Sequence, residues 1–205
     1  WLSRRPEDAL GFVSYASAFA ESKSSRGRDY ATAAGVQLHP SRNTLSEWRT
    51  TAGGGLLATG IGGPLTGQGV RLAVVDDPVK NREEAESALI RQRTWDWFTS
   101  TLWTRIEPGG SCIVVHTRWH EDDLIGRLAR GEMGDAAQWE VVNLPAVDEH
   151  GEALWPSRWP LSELAKKRAA NEYDWHSLFM GAPRARGGEV FRTPTRYAVP
   201  DLAGA

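Results

Sequence analysis

The chain has 205 residues, 40% of them hydrophobic, with a formal net charge of -2. That length supports one domain with a sizeable core, and the near-neutral charge excludes a global basic field for nucleic acid while leaving room for a local basic face. The single cysteine, Cys112, excludes an internal disulfide and suits a reducing compartment; inside the apolar run Ile113-Val114-Val115 it reads as a small core residue. No run approaches the ~18 apolar residues of a membrane span, and no signal peptide is visible. The first residue is Trp1 and the tail is Asp201-Leu-Ala-Gly-Ala, so both ends are expected to be cuts in something longer. The 10 tryptophans are expected in packing, with base stacking the minor alternative.

In chain order, residues 10–15 read as a short strand. Ala16 to Ala34 reads as a helix with Phe19, Ala20, Tyr30 and Ala34 as apolar contacts and Gly35 as its C-cap. Arg26 and Arg28 read as a solvated face. Residues 44–59 read as two strands joined by Gly53-Gly54-Gly55, which supply the positive φ of a tight hairpin. Gly60 to Gly69 holds five glycines in ten residues. Such a loop lets backbone N–H groups approach a ligand or a neighbouring subunit, and the alternative is a flexible connector. It is not a Walker A loop, because no Gly-Lys-Ser/Thr follows.

Leu72-Ala-Val-Val75 then runs into Asp76-Asp77-Pro78. A continuous apolar run reads as a strand buried on both faces. Ionised acids cannot stay unpaired in that interior, so the pair sits where the strand leaves the sheet, the edge at which open α/β sheets bind ligands. There one acid can hold Mg²⁺ and the next can orient or deprotonate a water, as in a Walker B strand. The alternative is an Asp-Pro turn with solvated acids. Glu83 to Ile106 reads as one long helix with a stripe of Leu89, Gln92, Trp95, Phe98, Leu102 and Ile106. Glu83 and Glu84 lie in its first turn, and Glu107-Pro-Gly-Gly110 closes it with a turn. Ser111 to Val115 is a second buried strand. Strand, helix and strand make a βαβ unit, so the two strands are parallel. Asp76-Asp77 and His116-Thr117-Arg118 then emerge on one edge.

His120-Glu-Asp-Asp123 has the wrong spacing for a zinc motif; Glu121 to Asp123 read as the acidic first turn of a helix through Leu124, Ile125 and Leu128. Trp139 to Leu144 reads as a further strand closed by Pro145. A loop through Pro156 to Pro160 leads to a helix capped by Ser162, with Lys166-Lys167-Arg168 on it, and a short helix over 172–180. From Gly181 on, composition suggests a linker. This divides the chain into 1–150 as the main unit, 151–185 as a helical extension and 186–205 as a linker.

Gly60-Ile-Gly-Gly-Pro-Leu-Thr-Gly67, Val74-Val-Asp-Asp-Pro78 and His116-Thr-Arg-Trp-His-Glu-Asp-Asp-Leu124, in that order, resemble the large terminase subunit of tailed bacteriophages. Ser14-Tyr15 and Pro156-Ser-Arg-Trp159 fit the same family. The resemblance implies an α/β fold of the RecA-like P-loop NTPase type: a mostly parallel sheet flanked by helices, here incomplete at its N-terminus. It also implies a motor, of phage or prophage origin, that hydrolyses ATP with Mg²⁺ to drive double-stranded viral DNA into a capsid in the bacterial cytoplasm. Its implied partners are a small terminase subunit, a portal protein and other copies in a ring, with no membrane. By resemblance Asp76 is the Mg²⁺-associated acid and Asp77 the water-activating carboxylate. Thr117 belongs to a coupling motif, and Arg118 either joins that relay or pairs with an acid. Gly62, Gly63 and Gly67 are nucleotide-facing positions of the glycine loop.

Three departures stand against the family pattern. The Walker A loop is expected before Trp1, which would leave one flank of the sheet exposed and the isolated chain a poor ATP binder. The nuclease domain is expected beyond residue 190, and Asp201 alone does not replace its acids. Gln68 stands where family members can carry an arginine acting on a neighbouring subunit, with Arg71 the nearest basic residue. The remaining alternatives are an inactive remnant serving as an interaction or DNA-contacting module, and another nucleic-acid motor such as a helicase.

Overall fold

The computed structural model describes residues 1–65, 67, 69–134 and 139–184. Gln68 and the expected linker at 186–205, Asp201 included, lie outside the described residues. Six strands, β1 (Ala9–Ser14), β2 (Leu38–Asn43), β3 (Glu47–Thr50), β4 (Gly55–Gly60), β5 (Val70–Asp76) and β6 (Ile106–Val115), form one sheet in the order β2-β3-β4-β1-β5-β6. β4, β1, β5 and β6 run parallel to one another. β3 is antiparallel to β4, and β2 to β3. The expected α/β class with a mostly parallel sheet is what the chain adopts.

Helices cover both faces. Alternate residues of a strand face opposite ways, so Val13, Ala73 and Val75 share one face. There they pack with Trp97, Phe98, Leu102, Leu124 and Leu128. On the other face Leu10 and Leu56 pack against Ala31 of α1 (Ser17–Ala33), with Leu2, Val36 and Trp48. α1 ends as its sequence implies: Gly35 has φ +83°, and the Gly35 and Val36 N–H groups close back on Thr32 and Ala31. Tyr30, expected as an apolar contact of α1, is exposed. The β3–β4 turn requires glycine by close approach, since a Cβ on Gly54 would meet the Asp8 carbonyl at 2.3 Å.

The expected long helix is broken. Residues 82–105 form α2 (Arg82–Glu86), α3 (Ala88–Trp97), a π-turn (Phe98–Leu102) and a 3₁₀ turn (Trp103–Arg105). Ser87, at φ -75° and ψ 110°, leaves the helical region and caps α3 by accepting from the Ile90 N–H. The break and the π-turn shift the apolar stripe. Phe98 and Leu102 are fully buried and Trp97 joins them, while Leu89 is 60% exposed. The turn at 107–110 does not precede the next strand; it bulges within β6. Register passes from Val70–Ile106 to Leu72–Ser111, so four residues face Arg71, whose guanidinium donates to the Pro108 carbonyl.

Three further expectations are corrected. Residues 139–144 are in no strand, and Val141, Val142 and Leu144 are exposed. Glu121 and Asp122 precede α4 (Leu124–Ala129), and Asp123 is its N-cap, accepting from the Gly126 N–H at 2.8 Å. Pro160, not Ser162, starts α5 (Leu161–Ala170). After it come α6 (Glu172–Asp174) and a π-turn (Trp175–Phe179). β2 is a strand the sequence reading did not include. Among the described residues no helix is long and apolar enough to cross a membrane.

Candidate functional site

The tips of β5 and β6 meet. Asp76 pairs in register with Val115 and with Ser14 of β1. One residue further, the Asp77 N–H donates to the Val115 carbonyl at 2.9 Å and its carbonyl accepts from the Tyr15 N–H at 3.0 Å. Both neighbouring strands therefore hold Asp77 in place. Its φ is +42°, the one positive value outside glycine among the described residues. Such strain persists only where surroundings over-determine it, and Pro78 also disfavours the right-handed helical alternative.

This geometry points the Asp77 carboxylate across the edge. Its Oδ1 accepts the Thr117 N–H at 2.8 Å. The His116 ring lies 3.7 Å from that oxygen, beyond hydrogen-bond reach. Burial alone would raise the Asp77 carboxyl; the His116 imidazole and the Thr117 N–H outweigh it and hold the group below its ordinary range. Asp76 behaves oppositely. Burial and the Asp77 charge raise it, and Lys23 of α1 pulls it back only in part. Two adjacent acids are thus set apart by environment.

A divalent cation would favour the charged form of Asp76. Asp76 and Asp77 also suit Mg²⁺, which takes one or two carboxylates and fills its shell with water and phosphate. Among the described residues no group of three or more His, Cys, Asp or Glu could hold a metal by itself.

Arg118 pairs with an acid: its Nε donates to Asp123 Oδ2 at 2.7 Å. Asp123 is 2% exposed and also lies 3.8 Å from His116 Nε2. The glycine loop is divided. Gly62 and Gly63 follow the carboxyl end of β4, where Gly60 is in register with Ser14, and so share the edge with Asp76. Gly63 has no room for a Cβ, which would meet Thr59 Oγ1 at 2.1 Å. Gly67 is not brought there, because it leads into Val70 at the amino end of β5. Arg71 is occupied at that amino end as well.

Sequence reading placed His116 at this edge but missed Lys23 and Asp123 as site neighbours. The His116 side chain is buried with neither ring nitrogen hydrogen-bonded. A cavity of about 650 Å³ adjoins the site, lined by the outer edge of β6, by residues 139–144 and, at one end, by Asp77 and Thr117.

A family profile described as the terminase large subunit, T4-like-virus type, N-terminal, matches residues 30–196. A search of curated proteins gives no match. Among solved structures the fold is similar to the large terminase of bacteriophage HK97, at a TM-score of 0.51 and 13% identity over 86% of this chain and 40% of that one. The matched part of the chain therefore spans about two fifths of the length of that terminase, and at this identity the likeness speaks to fold alone. The profile covers most of the chain: this chain belongs to the terminase large subunit family.

Proposed function

We propose that the chain is the ATPase part of a motor that packages double-stranded viral DNA, working in the bacterial cytoplasm with a small terminase subunit, a portal and further copies of itself. The observation that carries this reading is the Asp77–Thr117 bond, 2.8 Å long, which joins the acid just past β5 to the second residue after β6. Phosphoryl transfer needs positioning and charge neutralisation more than covalent chemistry. Asp77, kept ionised by its neighbours, orients the attacking water and accepts its proton as the new bond to the γ-phosphorus forms and the bond to the bridging oxygen breaks, with ADP leaving. Thr117 and Asp77 share a hydrogen bond, so a change at the phosphate reaches the β6 tip directly. Bound Mg²⁺ supplies neutralisation of phosphate charge, with Asp76 as its protein-side acid. Gly62, open on its side-chain side, gives backbone access beside it, while Gly63 shapes the loop by donating its N–H to the Gly60 carbonyl at 2.9 Å.

The phosphate cradle itself is not formed by these residues. The cavity between β6 and residues 139–144, with Ile113 and Val115 about half exposed on the strand edge, suits an added strand. Seated parallel to β6, that strand would deliver its following turn to the Asp77 edge. The test is Asp77→Asn in the complete subunit. ATP turnover falls by about 10²–10⁴-fold while calorimetric ATP affinity stays within about twofold. Undiminished turnover contradicts the proposal.

A further inference from the structure

Arg82 opens α2, five residues beyond Asp77, and its guanidinium bridges two other segments. Nη1 donates to the Trp119 carbonyl at 2.5 Å, two residues beyond Thr117. Nη2 donates to Ser177 Oγ at 2.8 Å and pairs with Asp174. The group also lies 5.2 Å from the centre of the Trp119 ring and 4.6 Å from that of Tyr173. Tyr173 closes the circle by donating to Glu86 Oε1 at 3.2 Å. The side chain is four-fifths buried, and Ser177 is wholly so. A planar fork with several donors can serve two segments at once, which a lysine ammonium on one stem cannot do with the same geometry.

We infer that Arg82 is a positioning residue that couples the Asp77–Thr117 contact to the arm formed by residues 172–180. The arm takes its place from the loop that follows β6, and the loop from the arm. If the Asp77 edge faces nucleotide as proposed, this is the route by which its state reaches the C-terminal arm; the coupling itself is a property of the unliganded chain. Coupling of this kind is reciprocal. It has two ends that can be perturbed separately, Asp77 on one side and Asp174 on the other, and neither touches the other directly.

The test is residue-resolved amide hydrogen exchange on the complete subunit without nucleotide, so its failure is separate from failure of the ATPase reading. Asp174→Asn, in the arm, accelerates exchange of the Thr117 amide, which is bound to Asp77, by roughly tenfold. Asp77→Asn, at the edge, accelerates exchange of the Met180 amide, which is bound to the Trp175 carbonyl, by a similar factor. Both cross-effects vanish in an Arg82→Lys background, which keeps a charge for Asp174 and loses the bridge to Trp119. A merely structural Arg82 would let each substitution loosen its own segment only. Cross-effects under twofold, or cross-effects that persist with lysine at position 82, overturn the inference.

Discussion

The two flanks of the sheet are finished differently. On the β2 flank the outermost strand is short and polar, reading Leu-His-Pro-Ser-Arg-Asn, and four of its six residues are exposed. Pro40 lacks an N–H and Arg42 adds charge, both devices that discourage edge pairing. Behind it Trp48 is 1% exposed and donates to Ser24 Oγ at 3.1 Å, locking β3 to α1. On the β6 flank Ile113 and Val115 face outward at about half exposure. Opposite them residues 139–144 run unpaired across a cavity. The first flank is protected as an edge; the second leaves apolar side chains exposed beside a cavity, and the Asp77–Thr117 contact lies at its end.

The comparison can be broken at either flank. The largest stability effect is expected on the closed one, where Trp48→Ala removes a core anchor and costs about 3–5 kcal/mol; urea unfolding measures it, and a loss under about 1 kcal/mol would deny that β3 is locked. On the open flank, Ile113→Lys is expected to lower self-association of the 205-residue chain several-fold by light scattering, with Tm unchanged within about 2 °C. The matching change at the closed flank, Arg42→Ile, should raise it. Equal responses at the two edges would erase the distinction.

The smallest effect concerns how α4 is held on the open side. Asp122 accepts from Arg127, Arg91 and Arg130, and the Arg127 hydrogen bonds, outweighing burial, hold its carboxyl down at about 2. A depressed folded-state value means the stabilisation is present above the unfolded value of 3.8 and is lost as pH falls toward 2. With a third of the side chain exposed, solvent screening reduces this to about 1 kcal/mol. Asp122→Asn should therefore lose about that much at pH 7 and almost nothing at pH 2, by chemical unfolding at both values.

What was legible in the sequence was legible for physical reasons. Val74-Val75-Asp76-Asp77 announced a buried strand reaching an edge, and the βαβ spacing fixed which edge His116-Thr117 would share. The helix break was written at Ser87, a capping residue, but the near-continuous apolar periodicity from Leu89 to Ile106 masked it. The bulge at Pro108-Gly109-Gly110 was read as a turn because loop chemistry is the same inside and outside a ladder. Trp139 to Leu144 has strand composition, yet a strand forms only against a partner, and the described residues supply none. Arg82 was invisible because its partners lie as far as 95 residues away. Gly67 was grouped with Gly62 by composition, whereas the loop carries it toward the opposite end of β5.

The central claim is that the tips of β5 and β6 face a nucleotide. Amide exchange of the complete subunit with and without a non-hydrolysable ATP analogue and Mg²⁺ tests it most directly. Added protection concentrated at residues 76–78 and 115–118 is the predicted result. Tight analogue binding that leaves those amides unchanged and protects another part of the chain would contradict it.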